Sequence, residues 1–224
     1  MRELAIGDIH GCLTALDTVL KAAAPQPDDL IITLGDYVDR GPETRGVIDR
    51  LLEIDRTGRL IPLRGNHELM MIEARDKDAL EFWKMIGGQE TLASYAADGG
   101  DGRLDNVPLE HWEFIEDRCV DWRETDTHLF VHAGVDPNLP LQEQSEMHLF
   151  WEKLGDPGPH VSGKTVICGH TAQPSGEPRN LGHIVCIDTW VYGNGWLTCL
   201  EVATGRYWQA TQNGDLREGR LEEK

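Results

Sequence analysis

Three short apolar runs open the chain, Leu4-Ala5-Ile6, Leu30 to Leu34 and Leu60 to Leu63, and a helical pattern separates each from the next. Leu13, Leu16, Val19 and Leu20 recur at helical spacing until Pro25 and Pro27 end the first pattern. Val47, Ile48, Leu51, Leu52 and Ile54 repeat the arrangement behind Pro42 and Glu43. A βαβαβ series constrains the fold strongly: its strands run parallel and its helices cover them. Residues 67 to 122 read as mostly helical, with Met70, Met71, Leu80, Trp83 and Ile86 on the apolar side, and "AADGGDGRLDN" (96–106) reads as a loop. Strands return in "HLFVHAG" (128–134), "KTVICGH" (164–170), "HIVCID" (183–188) and "WLTCLEV" (196–202), with "GDPGPHVSG" (155–163) as a loop. The polar stretch from about 213 to 224 is expected to fray.

Five of the strands end alike. The first runs into Gly7-Asp8-Ile9-His10-Gly11, the second into Gly35-Asp36 and the third into Gly65-Asn66-His67-Glu68. Two later strands run into His132-Ala133-Gly134 and Gly169-His170-Thr171. The carboxyl ends of parallel strands gather at one edge, where α/β sheets bind their ligands. Asp8, His10, Asp36, Asn66, His67, His132 and His170 are therefore delivered to one place. Oxygen and imidazole donors without sulfur suit manganese, iron, zinc or nickel better than calcium or magnesium. These donors are too many for one ion. Two ions about 3.5–4 Å apart that share a carboxylate would use them, and such a pair clamps a phosphoryl group during in-line displacement.

Composition narrows the partners. With 21 basic and 39 acidic residues the net charge is -18, which argues against a broad nucleic-acid or anionic-membrane surface. Cys12, Cys119, Cys168, Cys186 and Cys199 show no metal-binding spacing, so a reducing, cytoplasmic setting is the simplest reading, with packing as the default role for Cys12 and Cys168. No apolar run approaches the roughly 18 residues of a membrane span.

The order "GDIHG", "GDYVDRG", "GNHE", "HAG", "GH", spread over residues 7 to 171, resembles the metallophosphoesterases. More closely it resembles the phosphoprotein phosphatase family of serine/threonine phosphatases and its compact bacterial members. "GGQETLASY" (87–95) is similar to the segment that follows GNHE in those members. The resemblance implies the calcineurin-like fold: one α/β domain over 1–224, a two-sheet β-sandwich flanked by helices, with a helical insertion at about 69–122. It also implies two divalent transition metals, manganese first among them. Asp8 and His10 then resemble ligands of one ion, Asn66, His132 and His170 ligands of the other, and Asp36 the bridge. His67 resembles the general acid, oriented by Asp39, and Arg40 a phosphate clamp.

The chain departs from the family in two places. A second phosphate-facing arginine, expected just after a tryptophan, is replaced within "FWEKL" (150–154) by Lys153, which either substitutes as a point charge or is a solvated surface lysine. In "IDTWVYGNG" (187–195), Trp190 stands where the family commonly has glycine, and with Tyr192 it either lines the substrate entrance or, as the default, fills a sheet interface. His111, His128, His148, His160 and His183 lack the strand-end context and read as surface or core residues. The function implied is hydrolysis of phosphoserine or phosphothreonine protein, or related phosphate esters, by direct attack of a metal-bridging hydroxide. Two alternatives stand beside it: a dinucleotide polyphosphate hydrolase of the diadenosine-tetraphosphatase type, and a non-catalytic binding module on the same scaffold.

Overall fold

The computed structural model describes residues 1–96 and 102–222. Strand β1 (Glu3–Ile6) leads to helix α1 (Leu13–Ala23), β2 (Leu30–Thr33) to α2 (Thr44–Asp55), and β3 (Leu60–Pro62) to α3 (Asn66–Asp76). β1 pairs with β2, and β2 with β3, in parallel, as the βαβαβ order requires. Next come α4 (Leu80–Trp83), α5 (Gln89–Ser94) and α6 (Leu109–Glu113), with π-helical turns at Lys84–Gly88 and Phe114–Arg118. The rest of the chain adds β4 (Trp122–Glu124), β5 (His128–Val131), β6 (Thr165–Cys168), β7 (Arg179–Asn180), β8 (Ile184–Cys186), β9 (Leu197–Glu201), β10 (Arg206–Ala210) and β11 (Leu216–Arg220).

These strands form two mixed sheets. One has six strands in the order β11-β10-β9-β1-β2-β3, and the other has five in the order β4-β5-β6-β8-β7. Side chains alternate across each strand, so β1 turns Leu4 and Ile6 towards α1 and α2 and Ala5 towards the other sheet. Ala5, Ile32, Phe130, Ile167, Val185 and Leu200 fill the space between the sheets, which makes the architecture a sandwich. Leu129, Val131, Val166 and Ile184 face the opposite way and pack on Leu149 and Phe150. β1, β2, β5 and β6 therefore end at the same rim, whichever sheet they belong to.

The polar stretch expected to fray does not do so over Leu216–Arg220. Those residues pair antiparallel with β10, from Ala210↔Leu216 to Arg206↔Arg220. The pairing is reinforced from the side: Arg217 Nε donates to Gln209 Oε1 at 2.7 Å, and the Arg217 guanidinium lies 4.4 Å from the Trp196 ring. Part of the loop expected at 96–106 lies outside the described residues, and Leu104–Asn106 forms a single helical turn.

Candidate metal centre

The turns that carry the donors are unusual backbone. His10 (φ 44°), Asp36 (52°), Asp39 (72°), Arg40 (70°) and His170 (61°) all stand in the left-handed region, each without the freedom of glycine. A non-glycine residue there costs about 1–3 kcal/mol and persists only where its surroundings over-determine it. Close packing does so. A Cβ on Gly65 would come within 2.2 Å of Asp36 Oδ1, and one on Gly169 within 2.0 Å of Asp8 Oδ1, so both positions must lack one. Buried Glu68 ties the Asp36 turn to the start of α3: it accepts hydrogen bonds from Asp36 N–H (2.8 Å), Tyr37 N–H (2.7 Å) and Gly65 N–H (2.8 Å). Burial, and then the Asp36 charge, push its carboxyl up to about 7.

Asp36 lies at the middle of the site. Its Oδ2 is 3.4 Å from His10 Nε2 and 4.0 Å from His67 Nε2, while its Oδ1 is 3.4 Å from His132 Nε2. Two donor groups result, His10 with Asp36 and His67, and Asp36 with His132 and His170, all buried. Asp8 belongs to neither group. Both of its oxygens accept the His170 N–H, at 3.1 and 2.9 Å.

Hydrogen bonds behind the imidazoles fix their tautomers. His10 Nδ1–H donates to Val38 O and His132 Nδ1–H to Leu34 O, both at 2.8 Å, and His170 Nε2–H donates to Trp151 O at 3.1 Å. Each ring thus turns a lone pair inward, as ligating histidines do. Burial keeps all three neutral by lowering their pKa values, to about 3 for His170. His132 Nε2 and His170 Nδ1 both point at Asn66 Oδ1, 2.9 Å away in each case. Three acceptors then face one point. Either the amide turns its NH2 inward or a cation sits among them, and Asp36 Oδ1, as a fourth acceptor, favours the cation. The acids agree. Burial, then Asp188 and Asp36, push the Asp8 carboxyl well above its ordinary range, and burial with Asp36 pushes Asp188 up to about 6. Divalent cations would relieve that excess of buried oxygen charge, so the donor set fits metal.

His67 is held differently. Its Nδ1 donates to Asp39 Oδ2 at 2.6 Å, and that carboxylate also accepts Trp83 Nε1–H at 2.9 Å and Thr91 Oγ1–H at 2.9 Å. Burial pulls the His67 imidazolium down, but the charges of Asp36 and Asp39 outweigh it and leave the pKa raised. Arg40 Nη1 donates to His10 Nε2 at 2.8 Å. Lys153 reaches the same rim, where Nζ donates to His170 O at 2.8 Å.

All ten residues singled out from the sequence, Asp8, His10, Asp36, Asp39, Arg40, Asn66, His67, His132, Lys153 and His170, lie at or beside this rim. Glu68, Trp83, Thr91 and Asp188 were missed as site residues. Only the GNHE motif and the segment 87–95 gave a sign of the first and third. Tyr192 corrects its default reading: the ring lies edge-on to His10 at 4.8 Å and beneath the Arg40 guanidinium at 4.4 Å, in the site itself. The other histidines are satisfied elsewhere, as in buried His111 between Tyr95 Oη (2.8 Å) and Asp49 Oδ1 (3.0 Å).

A two-sheet sandwich with imidazole and carboxylate donors on its common rim defines a metallophosphoesterase. The chain belongs to the calcineurin-like phosphoesterases, whose family profile matches residues 1–186. Serine/threonine-protein phosphatase 1 of Salmonella typhimurium is 29% identical over 204 residues, 88% of this chain and 90% of that one. The symmetrical bis(5'-nucleosyl)-tetraphosphatase of Janthinobacterium sp. is 32% identical over 138 residues, 61% of this chain and 45% of the relative. A solved serine/threonine phosphatase from Saccharomyces cerevisiae superposes with a TM-score of 0.62 at 16% identity, covering 100% of this chain and 81% of that one, a likeness of fold. Among the described residues no helix is long and apolar enough to cross a membrane.

Proposed function

We propose that the chain is a phosphomonoesterase that uses two divalent metals, manganese first among them, on phosphoserine or phosphothreonine in protein or on related phosphate esters. One observation carries the proposal: the two oxygens of Asp36 face separate donor groups, so one carboxylate can serve two ions. Asp8, His10 and Asp36 would hold one metal, and Asp36, Asn66, His132 and His170 the other. Metals held there supply charge neutralisation for the phosphate oxygens and an activated water at neutral pH. Arg40 binds phosphate oxygens through its planar fork. Lys153 adds a point charge from the His170 side. His67 gives its proton to the departing alkoxide, with Asp39 fixing the ring.

A protein nucleophile is a poor alternative. Burial, and then Glu43, push the Cys12 thiol up to about 12, and Cys168 is raised well above its ordinary value by its contact with Cys186 and by burial. The buried free cysteines go with action in the cytoplasm. A non-catalytic module would need no such convergence of donors.

The alternative substrate is a dinucleotide polyphosphate, supported by the likeness to the tetraphosphatase. The serine/threonine reading has the relative that aligns along most of its own length. Assaying the manganese-loaded protein against phosphopeptides and dinucleotide polyphosphates tests the choice. A kcat/KM at least about tenfold higher for the phosphopeptides is expected, and the reverse preference would establish the alternative.

A further inference from the structure

Trp190 stands in the left-handed region at φ 65°, where a bulky side chain is strained and glycine is not. The turn is nonetheless fully tied. Trp190 O accepts Gly193 N–H and Gly195 N–H, each at 3.1 Å, and Trp190 N–H donates to Asp188 Oδ1 at 3.1 Å. The indole lies over Gly193, where a Cβ would come within 2.4 Å of it, and meets the Tyr192 ring edge-on at 6.2 Å. Tyr192 in turn lies under Arg40, with 4.4 Å from the guanidinium carbon to the ring centroid. Arg40 belongs to a second strained turn, φ 70°, whose N–H is anchored on Gly87 O at 3.0 Å. Two strained turns from opposite ends of the sequence thus meet through one tyrosine ring.

We propose that Tyr192 is a positioning residue: its ring fixes the plane of the Arg40 guanidinium for phosphate, and Trp190 braces the ring. The inference rests on the phosphoesterase reading of the site. A bidentate clamp works only when the fork is held in the plane of the phosphate oxygens it meets. A long side chain without support would lose that orientation to rotamer freedom. Of the two supports for Arg40, His10 also faces the metal site, while the Tyr192 ring is itself packed against His10 at 4.8 Å and Trp190 at 6.2 Å. A guanidinium over an aromatic face is attracted by the ring quadrupole, and partial burial strengthens the attraction.

The test compares wild type with Tyr192→Ala, Tyr192→Phe, Trp190→Gly, Arg40→Ala and the Arg40→Ala/Tyr192→Ala pair. The readouts are kcat, KM, inhibition by inorganic phosphate, metal content and melting temperature. Tyr192→Ala is expected to lower kcat/KM about tenfold and weaken phosphate inhibition by a similar factor, with metal content unchanged. Tyr192→Phe should restore most of that loss, because it keeps the ring. The double variant should match Arg40→Ala, since a residue acting through arginine adds nothing once arginine is gone. Trp190→Gly should melt no lower than wild type yet lose several-fold in kcat/KM. Wild-type kinetics in Tyr192→Ala, equal damage from Phe and Ala, additive losses in the double variant, or full activity in Trp190→Gly would each overturn the inference. A wild-type protein that hydrolyses no phosphate ester with any of manganese, iron, zinc or nickel overturns the functional reading itself.

Discussion

Asp29 and Asp36 flank the two ends of strand β2, and both are buried. Asp29 is surrounded by donors: Arg2 N–H (2.8 Å), Arg2 Nε (2.9 Å), Arg2 Nη2 (2.6 Å) and Gln26 N–H (2.8 Å). The Arg2 guanidinium holds its carboxyl well below the usual carboxylate range. At the other end burial works against the Asp36 charge, and the imidazoles around it favour that charge only when protonated, a state that burial denies to His10, His132 and His170 and leaves to His67. The neighbouring Asp8 and Asp188 are pushed up by burial. The first end contains what its acid needs. The second collects acids, imidazole lone pairs and left-handed turns, an excess of oxygen charge that a bound cation would balance. A buried carboxylate is therefore not a functional signal by itself; its unpaired surroundings are.

The largest break in the comparison comes from Asp36→Asn. If one carboxylate serves both ions, activity should fall on the order of 10³-fold or more, and metal content should drop at both sites together. Elemental analysis of the variant and of wild type checks this. One ion per chain in fully active wild-type protein would remove the dinuclear part of the proposal.

Next in size is His67. A positioned acid contributes about 10²–10⁴-fold where the leaving group needs a proton. His67→Gln should lose that much on alkyl phosphates and far less on nitrophenyl phosphate. Asp39→Asn should lose less, about 10–100-fold, because the ring stays but loses its orienting partner. His67 Nε2 also faces Asp36 Oδ2, inside one of the donor groups, so metal content must be measured alongside. Loss of an ion in His67→Gln would make His67 a ligand and leave the acid to be found.

Much of this contrast is legible in the sequence, for a physical reason. Apolar strands with a parallel order must end at one rim, so Gly-Asp, Gly-Asn-His and Gly-His after such strands declare the site. What was hidden depends on partners remote in the chain. Glu68 is visible as a letter in GNHE, but its hydrogen bonds to Asp36 N–H and Tyr37 N–H join residues more than thirty positions away. Thr91 and Trp83 hold Asp39 from fifty-two and forty-four positions away. β11, Leu-Arg-Glu-Gly-Arg, has no buried face, so its own pattern cannot announce a strand; β10 does that by pairing. Asp29 and Arg2 gave no sign either, since neither sits in a motif.

Lys153 sharpens the comparison on the site side. Its ammonium is tied to His170 O and stands over the rim that carries the excess acid. If it contacts phosphate, Lys153→Ala should lower kcat/KM about tenfold or more, the worth of one charge-assisted hydrogen bond. Lys153→Arg should restore the loss or improve on wild type. Unchanged kinetics in the alanine variant would make Lys153 a brace for the His170 backbone and nothing more.

The smallest effect on catalysis, and the most direct test of the two ends against each other, comes from Asp29→Asn. Its kcat/KM should stay within about twofold of wild type, while stability falls by about 1–3 kcal/mol, the usual range for a lost charged hydrogen bond. The pH dependence gives the comparison its sign. Asp29 has a depressed folded pKa, so its stabilisation is present above the unfolded value of about 3.9 and is lost as pH falls through the folded one. Asp188 has a raised folded pKa of about 6. Between about 4 and 6 the folded protein then binds the extra proton, and stability falls as pH rises. Urea unfolding of the metal-free protein across pH 3 to 8 should therefore show opposite corrections. Asp29→Asn should flatten the loss on acidification, and Asp188→Asn should lessen the decline between about 4 and 6, to which Asp8 and Glu68 also contribute. If both substitutions changed the profile in the same direction, the two ends of the sheet would not differ in the way their hydrogen bonds indicate, and the rim would lose its claim to hold uncompensated charge.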